Sequence, residues 1–502
     1  FAGKVAMQAI HIGRRNWRRP RHPLIPSRHR PQPKVSIHVP CYAEPPEVVL
    51  ETLEALSRLD YNDYEVLVID NNTKDQVLWR PVEAHCKRLG EHFRFFHVDP
   101  LAGAKAGALN FALTQTATDA EIIACVDSDY VAEPDFLSRL VGFFANPRVG
   151  FVQTSHDYRN FSNSPYQRAC YWDYMYFFKQ HLPALNEWTA GFTVGTMCLL
   201  RRKALEKAGG WAEWCLTEDS EIGMRIHALG YESMVLPDTF GRGLIPDSFS
   251  DFQKQRFRWT AGPVQQLKRH LRLLLPKPLG GAGKMTPVQK YFEWLHCAEG
   301  LGSVVRLLTT LLVPIFVYTA VKQNDSMPVP PVIWTLLAIA VPASMAITWL
   351  RYQKLHANTS DMLLGSIATL SLTHTKDMAT LVGLLARKPL AWTRTNKFIS
   401  LPKGLAALMS AKWEAIRALV MIGVGLGMLA FAEISRPDFV LLGTIAVLLA
   451  GIGHFMAPCM ALLAERDLAN RSEPTEPSEQ ASGVLTGPAC QPVFAARRCS
   501  SP

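Results

Sequence analysis

Glu121-Ile122-Ile123-Ala124-Cys125-Val126-Asp127-Ser128-Asp129 is the stretch whose reading decides the fold. Glu121–Val126 is short, apolar after its first residue and carries two isoleucines and a valine, which is the composition of a buried strand. Asp127 and Asp129 follow at once. Two carboxylates two residues apart, at the carboxyl end of a buried strand, are placed to share a divalent cation. The Asp-x-Asp pattern on its own is common by chance; the strand before it is what gives it weight.

Working upstream, Lys34–Pro40 (KVSIHVP) alternates and reads as a first strand. Pro46–Leu59 reads as a helix, Tyr64–Asp70 (YEVLVID) as a second strand and Trp79–Gly90 as a helix. His92–Val98 is a third strand, Ala104–Thr116 a helix and Glu121–Val126 the fourth strand. Strands alternating with helices predict βαβ units and a mainly parallel sheet. Ligands of such sheets bind at the carboxyl ends of the strands, where Asp70 and Asp127 fall. Residues 136–262 continue the same unit with mixed elements.

The remaining chemistry is spread downstream. Asp70, in VLVIDNNTKD, suits a hydrogen bond to a base or ribose, and a turn-initiating Asp explains it equally well. Thr217-Glu218-Asp219 follows the Trp-rich run GGWAEWCL. Desolvation there would raise a carboxylate toward the range of a general base. Thr217 also reads as the cap of a helix beginning TEDSEIGM, and the two readings are compatible. In Gln255-Arg256-Phe257-Arg258-Trp259 the indole offers a flat face for a sugar ring, Arg258 a permanent cation for a diphosphate, and Gln255 an amide for hydroxyls.

The later half is different in kind. The chain has 502 residues, of which 48% are hydrophobic, yet 1–290 reads as ordinary globular sequence. Leu301–Val321 and Val332–Leu350 are each about one bilayer in length, and Ala418–Phe431 and Phe439–Pro458 form a second apolar pair, so four spans are expected. Residues 263–299 read as an interfacial amphipathic region, with Lys268, Arg269 and Arg272 among leucines. Residues 360–386 are apolar but contain His374, Lys376 and Asp377. Were they to span, the basic loop 387–412 would lie outside the membrane, against the positive-inside rule, so an interfacial or re-entrant helix is expected. Residues 461–502 read as a disordered polar tail.

The net charge is +10, from 53 Lys+Arg against 43 Asp+Glu. Much of the excess lies in Arg14–Arg30. Such a run serves nucleic acid in some proteins; before a domain of a membrane protein it reads as a juxtamembrane segment facing anionic lipid, and residues 1–33 are assigned so. No nucleic-acid partner is expected. The ten cysteines show no CxxC pair and no His/Cys metal spacing, and read as buried reduced thiols. The chain begins at Phe1, so helices or a further domain are expected upstream.

Taken in order, Asp70, Asp127-Ser128-Asp129, Thr217-Glu218-Asp219 and Gln255–Trp259, followed by apolar spans, resemble the processive family-2 glycosyltransferases: cellulose, hyaluronan, chitin and bacterial β-glucan synthases. The resemblance covers roughly residues 34–460. It implies a GT-A-type α/β catalytic domain over 34–262, followed by an α-helical transmembrane domain with interfacial helices: span pairs at 300–350 and 413–460. It implies Asp219 as the catalytic base, and Asp70, Lys105 (in GAKAGALN), Asp127 and Arg258 around the nucleotide sugar. Asp129 with Asp127 would hold Mg2+ or Mn2+. Gln255, Trp259, Glu218 and, less directly, Thr196 (in FTVGT) would meet the acceptor.

Trp392–Lys397 (WTRTNK) resembles the FxVTxK gating loop of cellulose synthases, with Trp392 for Phe and Arg394 for Val. Thr395 and Lys397 would then reach the diphosphate; an ordinary basic loop is the other reading. Segments such as VIDNNT and GLIPDSFSDFQKQRFRW look most like the bacterial β-1,3-glucan synthases of the periplasmic, cyclic and curdlan types. The resemblance thus implies an inverting polymerisation of glucose from UDP-glucose into a growing glucan. It places the catalytic domain on the cytoplasmic side of a bacterial inner membrane, among membrane lipid, with room for accessory subunits. A cellulose-, chitin- or hyaluronan-type synthase, a non-processive transferase onto a lipid carrier, and a silent transport or scaffold subunit are the rivals.

Overall fold

A computed structural model describes residues 32–322, 331–397, 403–430 and 437–472. Seven strands form one sheet in the order β3-β2-β1-β4-β7-β6-β8: β1 Val35–Cys41, β2 Tyr64–Asn71, β3 Phe93–Val98, β4 Ile122–Cys125, β6 Val149–Thr154, β7 Cys198–Arg201 and β8 Glu232–Leu236. A two-stranded ladder pairs β5 Val131–Ala132 with β9 Gly241–Arg242. The β1–β2, β2–β3, β1–β4 and β6–β8 pairs are parallel, whereas β7 runs antiparallel to β4 and β6. This is the GT-A-type arrangement, a mainly parallel sheet with helical crossovers.

The four strands foreseen upstream occur within a residue or two of their expected ends. Val35, Ser36, Val66, Leu67, Ile123 and Ala124 are completely buried, so β1, β2 and β4 are covered on both faces, whereas β3 at the sheet edge is partly exposed. Register then fixes the rim. Cys41 pairs with Asp70 and Asp70 with His97, which lines up the ends of β1, β2 and β3. β4 is only four residues long, and Asp127 leaves it where the sheet stops.

Beyond the sheet the sequence reading needs three corrections. Residues 249–274 form a helical stretch, kinked at His270, whose first part carries both Gln255–Trp259 and the start of the basic stretch, so the boundary set at 262/263 runs through it. Its Val264 and Gln266 are completely buried. Gln266 Nε2 donates to Thr217 Oγ1 at 2.9 Å and Ser220 Oγ at 2.7 Å, and Gln265 Oε1 accepts from Leu216 N at 3.0 Å. The lysines and leucines suggested a membrane surface; the glutamines between them bind this face to the catalytic domain.

Residues 360–386 are not one helix. Thr359–Ser371 and Thr373–Leu385 are 13 residues each, broken at Leu372. A helix of that length rises roughly 20 Å, short of a hydrocarbon core. The first packs on the Pro165–Tyr176 helix and the second on Phe249–Leu274.

The tail expected from 461 is helical as far as Ser472, because Pro437–Ser472 runs straight through Pro458. Ala461, Ala464 and Leu468 are buried. Asp467 Oδ2 accepts from Ser164 Oγ at 2.5 Å and from Tyr166 N at 2.8 Å, placing a carboxylate at the N-terminus of the Pro165–Tyr176 helix. The basic run at Arg14–Arg30 and the tail beyond residue 472 lie outside the described residues.

Helices occur at Leu301–Lys322, Pro331–Lys354, Lys412–Ala430 and Pro437–Ser472. Among the described residues, two segments, Gly404–Ala430 and Leu441–Arg471, are long and apolar enough to cross a membrane, and a third is obtained if Pro287–Ala298 and Leu301–Phe316, bent by 43°, count as one. Their outer faces expose Leu311, Ile315, Leu419 and Leu449, surface that water would not favour.

Candidate active site

Asp70, at the end of β2, is 4% exposed. Its Oδ1 accepts from Thr73 Oγ1 at 2.6 Å, and Oδ2 lies 2.7 Å from His97 Nδ1. Trp79 stacks on the His97 ring at 4.3 Å. Burial raises the Asp70 pKa, with the Thr73 and His97 bonds opposing it. His97 and Trp79 were missed in the sequence; the β2–β3 register brings His97 to Asp70, and the Gln76–Leu89 helix lays Trp79 on the His97 ring.

Lys105 lies in the first turn of the Ala104–Gln115 helix. Its Nζ donates to Asp127 Oδ1 at 2.5 Å and to Gly195 O at 3.0 Å. Burial pulls the lysine pKa down, but the carboxylates of Asp127, Glu218 and Asp219 outweigh it and the net shift is upward. The Asp127 N–H donates to Thr196 Oγ1 at 2.9 Å. Thr196, 1% exposed, is therefore a fastener for the Asp-x-Asp turn.

Thr217 precedes the Glu218–Ala228 helix without a side-chain cap bond, so the capping part of the sequence reading is not realised. Its hydroxyl is turned to Gln266 instead. Asp219 Oδ1 accepts from Ser220 N at 2.7 Å, and its backbone carbonyl accepts from Thr193 Oγ1 at 2.7 Å. Burial first, and then the neighbouring Glu218, push Asp219 up to about 7. Glu218 is 5% exposed and also raised by burial, so it acts here as a buried charge beside Asp219 and presents little surface to an acceptor. Gly195 has φ +85°, and a Cβ there would stand 2.7 Å from Asp219 Oδ2 and 3.2 Å from Lys105 Nζ. Only glycine fits between the acid and the lysine.

The Gln255–Trp259 motif divides in two. Gln255 Oε1 accepts from Tyr174 Oη at 2.5 Å, and Trp259 packs against Tyr174 and Phe178 at 5.6 and 6.0 Å between ring centres. Arg258 points to Trp392–Lys397 instead. It donates to Thr393 O at 2.6 Å and Thr395 Oγ1 at 2.9 Å, and its guanidinium lies 4.8 Å from the Trp392 ring centre. The same segment reaches the metal-ligand candidate, with Lys397 Nζ 2.9 Å from Asp129 Oδ2. Leu244 N also donates to that oxygen, at 2.9 Å.

Arg394, one of the two departures from the gating pattern, donates to Ala43 O at 2.6 Å and faces Glu44 Oε1 at 3.9 Å. Tyr42 meets Trp392 edge-on at 6.4 Å. Burial lifts Glu44 to about 7. Neither Tyr42 nor Glu44 carried a signal in the sequence, since contact across 350 residues leaves no local pattern.

Lys105, Asp127, Asp129, Glu218, Asp219, Arg258 and Lys397, with the Thr395 hydroxyl, thus form one connected polar site. Asp70 stands beside it on the rim, and Gln255 and Trp259 sit in an adjoining aromatic wall. Among the described residues no group of three or more His, Cys, Asp or Glu is gathered as a metal cage. Two carboxylates with hard oxygens fit a Mg2+ or Mn2+ that takes its other ligands from substrate phosphate and water. The ammonium of Lys397 shows that the position beside Asp129 suits a cation.

With this geometry in hand, the family profile described as "Glycosyltransferase like family 2" matches residues 31–262. That segment is similar to family-2 glycosyltransferases. The chain is 29% identical over 248 residues to a probable glucomannan 4-beta-mannosyltransferase of Oryza sativa subsp. japonica, covering 48% of this chain and 46% of that protein. It is 30% identical over 293 residues to the cellulose synthase catalytic subunit of Pseudomonas fluorescens (strain SBW25), covering 57% of this chain and 38% of that protein. The chain thus spans under half the length of these two relatives. A mannosyltransferase from Pyrobaculum calidifontis, solved in complex with GDP-Man and Mn2+, aligns over 77% of this chain and 99% of its own, with TM-score 0.48 and 19% identity.

Proposed function

We propose that the chain is a processive, inverting glycosyltransferase of the cellulose synthase type that builds a β-glycan from a nucleoside diphosphate sugar. The observation that carries this reading is the Asp219 carboxylate, raised to about 7, beside Lys105, Asp127 and Arg258. A base of that pKa is half ionised near neutrality and suited to taking a proton from an acceptor hydroxyl.

In this account Asp219 accepts the proton of the attacking hydroxyl, and that oxygen displaces the nucleoside diphosphate at the anomeric carbon. Lys105 and Arg258 supply positive charge where the leaving group gains negative charge. Asp127 and Asp129 would hold a divalent cation, which supplies further charge neutralisation for the diphosphate. Trp259 and Gln255, in the wall formed with Tyr174, support the acceptor end. Trp392–Lys397 closes over the nucleotide, and the apolar helices after Leu301, four spans in this reading, conduct the product through the membrane from the cytoplasmic side of a bacterial inner membrane.

UDP-glucose is the donor we infer. The β-1,3 linkage follows from motif likeness alone. A β-1,4 product is the second reading, favoured because the relatives named above are a cellulose synthase and a 4-β-mannosyltransferase. Membranes containing the protein are to be incubated separately with UDP-glucose, UDP-GlcNAc, UDP-GlcA and GDP-mannose, and the product treated with linkage-specific hydrolases. Polymer from UDP-glucose removed by a β-1,3-glucanase supports the first reading. Removal by a β-1,4-glucanase supports the second, and no polymer from any donor defeats both.

A further inference from the structure

A polar groove of about 590 Å3 opens between the catalytic domain and the end of the Pro437–Ser472 helix. Asn160, Asn163, Gln167 and Asn470 line it, and Lys397 and Leu244, both bonded to Asp129, are shared with the active site above. The volume lies in the range of small-ligand sites, roughly 300–1,000 Å3.

Its charges are already engaged. Arg471 donates to Asp247 Oδ1 at 2.9 Å, Asp467 caps a helix, Arg159 pairs with Glu51 at 2.8 Å and Lys397 with Asp129 at 2.9 Å. An anion entering the groove would have to displace one of these partners. The amides remain. Gln167 is 6% exposed, and its Nε2 donates to Asp247 Oδ1 at 3.0 Å. Its buried Oε1 has no hydrogen-bond partner among the described residues. A buried acceptor without a donor is costly and calls for a ligand hydroxyl or N–H. An apolar ligand would leave it unsatisfied. Amide side chains both donate and accept, which matches the hydroxyls of a sugar.

We propose that this groove binds a short neutral oligosaccharide, as a second carbohydrate site beside the transfer centre. Lys397 forms part of both, so an occupant that draws Lys397 toward itself loosens its hold on Asp129. By linkage, oligosaccharide and nucleotide sugar then alter each other's affinity by the same factor. The choice of probe rests on the glycosyltransferase reading; the groove itself does not.

The test uses the full chain in detergent, titrated calorimetrically with cellotriose, laminaritriose, inorganic diphosphate and UDP. A trisaccharide should bind at millimolar concentration or below, with UDP failing to displace it. The double variant Asn163→Ala/Asn470→Ala, exposed and outside the transfer machinery, should weaken it roughly tenfold while UDP binding is unchanged. Absence of trisaccharide binding, displacement by UDP, an unaffected double variant, or diphosphate binding in the groove would each overturn the proposal. UDP release from UDP-glucose, measured on the same preparation, tells failure of the groove apart from failure of the functional reading.

Discussion

Lys397 Nζ lies 2.9 Å from Asp129 Oδ2 and 3.1 Å from Oδ1, joining the Trp392–Lys397 segment to the Asp-x-Asp turn across 268 residues of chain. The ammonium and a divalent cation compete for the same carboxylate. Lys397→Met should lower the Mn2+ concentration needed for half-maximal nucleotide binding, roughly threefold to tenfold, the worth of one charge-assisted hydrogen bond partly screened. Equilibrium binding of a fluorescent UDP against Mn2+ reads this. An unchanged or raised Mn2+ requirement would show that the pair does not oppose the metal.

Asp219→Asn keeps the shape of the acid and removes its basicity. Transfer should fall roughly 100- to 10,000-fold, the usual contribution of a general base. UDP affinity should stay within about twofold, because Lys105, Asp127 and Arg258 remain. Turnover and calorimetric UDP binding, measured together, separate the two effects.

The pH profile carries its own sign. Asp219 acts as a base only when ionised, and its pKa is raised to about 7. Activity should therefore rise with pH through a midpoint near 7 and level off roughly one pH unit above it. Glu218 is the second cause of the shift, after burial. Glu218→Gln removes that like charge and should move the limb to lower pH. A limb that stays fixed, or moves up, would assign it to another group.

How much of this could be read from the chain depends on how local each signal is. The strands ending at Asp70 and Asp127 announce themselves, because a buried strand must be apolar and an acid directly after one must sit at the rim. Gln266 illustrates the opposite case. Its partners Thr217 and Ser220 lie nearly fifty residues away, so the helix around it read as a membrane surface. The carboxyl half of the sheet, β6 to β8, was foreseen only as mixed elements, since the antiparallel β7 breaks the alternation of strand and helix. The bond of Thr196 to the Asp127 backbone was not foreseen, because no side-chain motif specifies a backbone partner.

Gly195 tests the packing of the centre. Gly195→Ala adds a methyl 2.7 Å from Asp219 Oδ2 on a backbone with φ +85°. Stability should drop by about 1–3 kcal/mol, as for other strained left-handed positions. Thermal unfolding of the purified protein shows it, and activity should fall by more than the unfolded fraction accounts for.

Arg258→Lys keeps the charge and loses the fork that holds Thr393 O and Thr395 Oγ1. KM for the nucleotide sugar should rise roughly tenfold, with the fold intact by circular dichroism.

The central claim is that this site extends a polymer through Asp219. The most direct measurement is the size distribution of radiolabelled product from UDP-glucose, taken for the wild type and Asp219→Asn side by side. The account predicts long chains from the wild type, appearing while most acceptors remain unextended, and none from the variant. Transfer of a single sugar to a lipid fraction, or polymer made equally by both proteins, would contradict it.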